Sequence, residues 1–385
     1  MKLETLTSLH IGSGNMLQKD SDFVFGKDAD GYPVVYVINP RKVLSLIGEE
    51  NVVAWTVGIE NGRSTEEIVK LYAPKATITD YSLHAIDSYL SRPAQQIKEF
   101  IRDGLDRPYI PGSSIKGAIR TAVFTDIAST MNADDFRQAI MNEDDITSKA
   151  IEADAFGKDP NHDVFRNLRV GDAYATGYRT SVYEMKNIAD HPKKAFWDSN
   201  LQMATEVLLP GTEVDFSLVL KRPDLLPDDM PATPRALSSV EALLDVINNH
   251  TRMLLNDEID IWKKMKDNNK KIKKWEEKVD KYINLLSDLL HTANRCKGTR
   301  SAVMRMGHGS GWRFVTGAGR WRSRLTEDDL KMVINAMVEE EQQNKKRSNK
   351  TDDFPKSRWL EEEECEPLGF VKLTLCDYPP PKSNE

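Results

Sequence analysis

Apolar positions along this chain repeat with two different periods, and the period changes from segment to segment. From Glu213 to Lys221, Val214, Phe216, Leu218 and Leu220 alternate with Glu213, Asp215, Ser217 and Lys221, which predicts a half-buried strand. Gly369 to Cys376 alternates through Val371, Leu373 and Leu375 and predicts a closing strand. Leu3 to Ile11 predicts an opening strand that runs into a small-residue loop, Gly12-Ser13-Gly14. The β-type runs at 23–25 and 34–37 flank Asp30-Gly31, a turn pair, and predict a hairpin. Asn39 before Pro40 predicts an N-cap and a helix through Leu46. Helical spacing continues through Thr65–Leu71 and Ser82–Ile101. It returns from Ile115 to Ala128, where Ile115, Ile119 and Val123 form one stripe. Ala153 to Asp163 predicts an exposed loop, and Leu168 to Ala173 a short strand.

In the second half, Pro210-Gly211 marks a turn, and Arg222 to Pro234 is rich in Pro and Asp. That segment predicts a linker and divides the chain into residues 1–222 and 223–385. Ser238 to Arg295 predicts a long helical region broken near Asn268-Asn269. Within it Ile272, Trp275, Val279, Tyr282, Leu286 and Leu289 share one stripe, which predicts a packing surface. The lysines from Lys270 to Lys281 lie on the other faces and predict a solvated surface. Glu339 to Asp353 is too polar to build a core and predicts an unstructured segment. Strands at both ends with helices between them predict an α+β fold rather than a doubly wound parallel sheet. A split β-α-β arrangement of ferredoxin-like type fits this order.

Composition narrows the class. Of 385 residues, 39% are hydrophobic and 29% charged, as in an ordinary globular protein. No apolar run reaches the roughly 18–20 residues of a membrane span. The first residues carry an early acid, Glu4, and no long apolar stretch, so no secretory signal is expected. The three cysteines, Cys296, Cys365 and Cys376, are too scattered for a disulfide framework or a zinc site. A cytoplasmic location with reduced thiols follows as the expectation. The net charge of -7 argues against a generally basic nucleic-acid protein. One segment departs from it: Arg295, Lys297, Arg300, Arg305, Arg313, Arg320, Arg322 and Arg324 follow one another with no acid between them. An acidic protein can still bind a polyanion through one such face.

Four segments carry candidate chemistry. In YIPGSSIKGAIRT, residues 109–121, Gly112 permits close backbone approach and Ser113 or Ser114 is placed as an N-cap. Lys116 and Arg120 share a face that Gly117 leaves bare for a phosphate backbone. The same pattern describes an ordinary capped helix with two surface cations. In RMGHGSGWRF, residues 305–314, Gly307, Gly309 and Gly311 expose backbone N–H groups around His308 and Ser310. There Trp312 or Phe314 could stack on a base, and Arg305 and Arg313 could meet phosphates. The surrounding cations favour that role over a plain turn with core aromatics. In LHIGSG, His10, Gly12, Ser13 and Gly14 suit a backbone turning against a ligand or a neighbour, and a lone histidine is more often structural than a general base. In FRNLRVGD, Arg166 and Arg169 either add phosphate contacts or pair with nearby acids. Metal, cofactor and nucleophile motifs are not found. Asp20 and Asp22 beside a loop are too common a feature to define a metal site.

Taken in order, LHIGSG, YIPGSSIKGAIRTA, FRNLRVGD, GHGSGW, PKSRWL and EPLGFVKL resemble the repeat-associated mysterious protein (RAMP) superfamily of CRISPR systems. The set is most similar to the type III-A (Csm) subunit that caps the effector filament at the 3′ end of the guide RNA. The resemblance implies two interleaved ferredoxin-like, RRM-type domains with helical insertions. It implies binding of crRNA and target RNA through the Lys116/Arg120 helix start and the glycine-rich loops. Partners would be the other Csm subunits, above all the repeated backbone RAMP subunit, with host ribonucleases recruited for guide maturation and no membrane. It implies no catalysis and no cofactor. Two rivals remain: a metal-independent endoribonuclease using His10, and a scaffold that binds only proteins.

Overall fold

In the computed structural model, which describes residues 1–140, 149–189, 203–221, 232–268, 273–315, 326, 328–329, 332 and 357–376, the chain changes sheets within its first twelve residues. β1 (Lys2–Thr5) stops well short of Ile11, the expected end of the opening strand. Leu6 and Thr7 donate to the carbonyl of Phe370, and Leu9 then exchanges hydrogen bonds with Leu208 in a second sheet. β2 (Gly12–Gln18) begins there. Gly12, Ser13 and Gly14 are therefore the start of a strand, not a loop, and its register slips between Gly12 and Met16. β3 (Phe23–Lys27) and β4 (Pro33–Ile38) form the expected hairpin, with Gly31 at φ 85°. The Asn39 side chain caps α1 (Pro40–Ile47) by accepting from the N–H groups of Arg41 and Lys42. α2 (Val52–Glu60), α3 (Thr65–Tyr72) and α4 (Ile78–Tyr81) follow. Val43, Ile47, Val69 and Tyr81 from these helices cover one face of the hairpin.

The helix expected over Ser82–Ile101 is two strands, β5 (Ser82–Ser88) and β6 (Gln96–Phe100). Pro93 lies between them and cannot sit inside a helix, and ladder partners on both sides outweigh local spacing. β7 (Tyr109–Ile110) leads into α5 (Gly112–Thr130), α6 (Ala133–Ile140) and α7 (Lys149–Phe156). α7 thus takes the first residues of the expected loop at 153–163. β8 (Leu168–Val170), β9 (Ala173–Tyr174), β10 (Thr180–Ala189) and β11 (Met203–Leu208) follow. The strand expected over Glu213–Lys221 is split into β12 (Glu213–Asp215), which pairs with β1, and β13 (Leu218–Leu220), which pairs with β8. The break falls where the Ser217 carbonyl accepts from the Gly171 N–H. α8 (Val240–Asn268), α9 (Lys273–Cys296), β14 (Ser301–Arg305), α10 (Trp312–Val315), β15 (Ser357–Glu361) and β16 (Phe370–Thr374) complete the order. Most of the expected linker, the segment Glu339–Asp353 and Ile272 lie outside the described residues.

One sheet has the order β12-β1-β16-β14; the other runs β2-β6-β11-β10-β5-β4-β3, with β15 also beside β10. Each joins strands from both sides of residue 222. The result is an α+β fold whose two sheets are interleaved and carry helical insertions, in line with the expected ferredoxin-like arrangement. The four-stranded sheet is covered on both faces. Ala302, Met304, Val371 and Leu373 face α5 and the first turns of α8. Val303 and Phe370 face the rest of α8 and α9. The stripe of Trp275, Val279, Tyr282, Leu286 and Leu289 is buried there, as its spacing predicts. On the lysine face Lys273 and Lys281 are exposed, as expected, but Lys278 and Lys281 also have partners within the fold. They donate to the carbonyls of Glu362 and Glu363, tying α9 to the turn after β15.

A buried polar cluster fastens this helix pair to β15. Glu258 on α8 receives Arg358 Nε at 2.5 Å and Arg358 Nη2 at 2.8 Å. Trp262 Nε1 and the Tyr282 hydroxyl donate to the same carboxylate. Burial alone would raise the Glu258 pKa, but the charge and hydrogen bonds of Arg358 outweigh it and hold the carboxylate at about 2.

Candidate nucleic-acid interface

The crossing from one sheet to the other places His10 between them. Its Nδ1 lies 2.6 Å from the Glu206 carbonyl oxygen, which can only accept, so Nδ1 carries the proton and Nε2 is bare. The ring is 2% exposed, and burial lowers its pKa to about 4. The Glu206 carboxylate is itself buried. It accepts from Arg102 Nη2 at 2.6 Å, the Thr180 hydroxyl at 2.5 Å and the Phe100 N–H at 2.8 Å. This network fixes β11, whose Glu206 carbonyl holds the His10 ring.

The glycine-rich loop after β14 closes on the same point. The His308 N–H donates to the His10 carbonyl at 2.9 Å. Gly307 has φ +80°, and a Cβ there would lie 2.6 Å from the His10 carbonyl oxygen, so no other residue fits. The His308 ring meets the His10 ring edge-on at 5.5 Å. Lys98 Nζ donates to His308 Nε2 at 3.0 Å, because an ammonium has no acceptor. One edge of His308 stays open to solvent. Its packing over His10 and the Lys98 charge still lower its pKa, burial first. Both imidazoles are therefore neutral at pH 7.

His10, Gly12, Gly14, Asn15, Met16, Lys98, Glu99 and His308 line one groove of about 320 Å³. Ser13 Oγ and Asn15 Nδ2 donate to Glu99 at 2.6 and 3.0 Å, which keeps that carboxylate to one wall. Lys98 makes no ion pair among the described residues, so it is the cation an anionic strand would meet. Thus two segments almost 300 residues apart, LHIGSG and GHGSG, build one surface. Lys98, Glu99 and Asn15 were not singled out by their sequence context. Lys98 sits in the segment whose spacing imitates a helix, and only its ladder position turns it towards the groove.

Other residues of the glycine-rich segment point inward. Arg305 is 5% exposed, with Nε on the Leu368 carbonyl and Nη2 on the Gly309 carbonyl, each at 3.0 Å. Its guanidinium lies 4.6 Å from the Phe314 ring centre and 4.8 Å from that of Phe370. It holds the loop from beneath rather than meeting a phosphate. Ser310 is buried and donates to the Gly307 carbonyl, Arg313 is buried, and Phe314 belongs to the core instead of offering a stacking face. Gly309 packs against Leu368, while Gly311 faces open space. The side chain of Trp312, and Arg320, Arg322 and Arg324, lie outside the described residues.

The start of α5 is a second, separate cluster. The N-cap residue is Pro111, not Ser113 or Ser114, and it offers no side-chain cap. The Asp172 carboxylate accepts from the Gly112 N–H at 2.7 Å, so the chain supplies its own anion there. Gly112 does permit close approach, but to β8: a Cβ would fall 2.2 Å from the Val170 carbonyl oxygen. Gly112→Ala is accordingly expected to cost about 1–3 kcal/mol or more through overpacking. Urea unfolding of that variant with the parent's midpoint would show that β8 can move aside. Arg120 pairs with Asp163 at 2.8 Å and lies over the Phe156 ring at 4.1 Å, so its charge is largely used within the fold. Lys116 has no such partner among the described residues. Burial lowers its pKa, with Asp163 opposing. Gly117 beside it faces open space, and Ser113, Arg166 and Arg169 are exposed.

Among the described residues no group of three His, Cys, Asp or Glu could hold a metal ion, and no helix is long and apolar enough to cross a membrane. Asp20 and Asp22 form a tight turn, Asp20 at φ 69° and the Asp22 carboxylate accepting from the Gln18 N–H.

Interleaved α+β sheets joined at a crossing, with two glycine-bearing segments converging on a groove, define the class. The family model described as the RAMP superfamily matches residues 2–318, and the chain belongs to that superfamily. A protein of Methanocaldococcus jannaschii, "CRISPR system Cms protein Csm5", is 28% identical over 187 residues, which are 45% of this chain and 42% of that protein. The match thus spans less than half of that curated relative. A chain of a Csm–crRNA–target RNA ternary complex from a type III-A CRISPR-Cas system superposes with TM-score 0.68 at 20% identity. That alignment covers 96% of this chain and 98% of the other. The crystal structure of T. onnurineus Csm5 gives TM-score 0.59 at 18% identity, over 97% and 100%. At these identities the two structures speak to the fold.

Proposed function

We propose that this chain is a non-catalytic, crRNA-binding subunit of a type III-A CRISPR (Csm) effector complex. In this role it caps the backbone near the 3′ end of the guide and is required for guide maturation. The observation that carries it is the groove in which both glycine-bearing segments meet at Lys98. Open glycine backbone and a cation without a carboxylate partner among the described residues suit a sugar–phosphate chain, which is recognised by charge and shape. The names of the relative and the structural neighbours support the same assignment. Its partners are then crRNA, target RNA, the other Csm subunits and the nucleases that trim the guide. A fixed His10 tautomer with 2% exposure favours a positioning role over acid–base chemistry.

Co-expression with the operon, pull-down through this chain and sequencing of the retained RNA test the proposal. Trimmed guides that stay long when the chain is deleted are the expected result. Recovery without RNA or Csm subunits contradicts it. Cleavage of labelled repeat RNA by the purified chain, abolished in His10→Ala, would instead favour the endoribonuclease. For the groove itself, Lys98→Ala together with Lys116→Ala is expected to weaken RNA binding. It should also flatten the salt dependence by roughly 0.7 in log–log slope per lost phosphate contact. An unchanged slope would remove both lysines from the interface.

A further inference from the structure

We propose that Tyr109, Tyr174 and Arg107 form a stacking platform for one unpaired base of a bound RNA strand; the proposal rests on the RNA-binding function above. Tyr109 and Tyr174 are direct cross-strand partners in the β7–β9 ladder. Their rings stack at 5.6 Å with planes 24° apart. The Arg107 guanidinium lies 4.8 Å from the Tyr174 ring centre. Core aromatics would be covered, yet Tyr174 is 42% exposed and Arg107 is exposed as well. Arg107 is held by Asp103 at 2.6 Å, so it offers a flat π-surface more than a free charge. β7 runs directly into α5, which brings the platform next in the chain to exposed Ser113, half-buried Lys116 and open Gly117. Cationic contacts beside sequence-tolerant aromatic faces are how single strands are held without base readout.

A second tyrosine pair shows what such a site excludes. Tyr89 and Tyr183 stack more closely, at 4.8 Å and 6°, and Tyr89 is 56% exposed. Their surroundings are acidic. Burial, with the charges of Glu361, Glu366 and Glu363, pushes the Tyr183 phenol up to about 12. That field repels a polyanion, so the geometry alone does not make a platform.

The test uses the full chain and a single-stranded RNA oligonucleotide carrying 2-aminopurine. Tyr174→Leu keeps an apolar strand residue but removes the ring. It is expected to bind about 5- to 100-fold more weakly with an unchanged salt slope. Tyr174→Phe recovers that affinity and the fluorescence quenching, and Tyr89→Leu binds like the parent. If Tyr174→Leu fails to fold, Arg107→Leu leaves the ladder intact and carries the test by the same loss. Parental affinity in these variants, while Lys116→Ala still lowers affinity and slope, overturns the platform and leaves RNA binding standing. A parent chain that binds no RNA overturns both.

Discussion

Arg358→Ala is expected to lower the unfolding free energy by about 3–5 kcal/mol, because it strips a buried carboxylate of the guanidinium hydrogen-bonded to it. Glu258 is 0% exposed and Arg358 7%, and the two are joined by two hydrogen bonds of 2.5 and 2.8 Å. Water cannot replace the lost guanidinium at that depth, and Trp262 and Tyr282 would donate to a carboxylate forced to take up a proton. The effect is specific to breaking the pair; replacing both partners with apolar residues of similar volume would be far milder. Acid should reproduce part of it. The folded-state pKa of Glu258 is depressed from its ordinary 4.5 to about 2. The pair's contribution is therefore complete above about pH 4.5 and is lost as the pH falls towards 2. Urea unfolding across that window checks both claims. An Arg358→Ala midpoint like the parent's would mean that α8 and α9 are not fastened to β15 through this pair.

Arg305→Ala should be the next most damaging change, by about 2–4 kcal/mol, since it leaves one buried and one half-buried carbonyl without this donor and strips a buried guanidinium from two phenylalanine rings. The carbonyls are those of Leu368 and Gly309, and the rings are Phe314 and Phe370. Because Arg305 holds the glycine-rich loop from beneath, RNA affinity should fall as well, through displacement of His308 from its contact with His10. The salt dependence of the binding that remains should keep the parental slope, because no phosphate contact has been removed. Denaturant unfolding and salt-titrated RNA binding of the same variant separate the cases. A stable Arg305→Ala protein with a shallower slope would return Arg305 to the RNA surface.

Arg305 shows how far a charge run can be trusted. From sequence it is one of eight cations without an intervening acid. In the fold it and Arg313 are buried, and Arg120, with no acid near it in sequence, pairs with Asp163. Such segregation counts only neighbours along the chain, whereas Coulomb interactions and burial are set by neighbours in space. The same gap explains Lys98, whose segment has helical spacing but is placed by ladder partners from β2 and β11.

What the sequence determined by itself was local. The β3–β4 hairpin, the Asn39-capped helix, the buried stripe of α9 and the closing strand all follow from side-chain period and turn chemistry, which act within a few residues. The order of glycine-bearing motifs likewise pointed to the family. Only the tertiary structure decided the rest. It split Glu213–Lys221 between two sheets, made strands of Ser82–Ile101 and carried the chain from one sheet to the other at His10. It gave the Gly112 N–H to Asp172 and brought His308 to Lys98. Each of these depends on a hydrogen-bond or ion-pair partner scores of residues away, and such a partner leaves no trace in the spacing of the segment it completes.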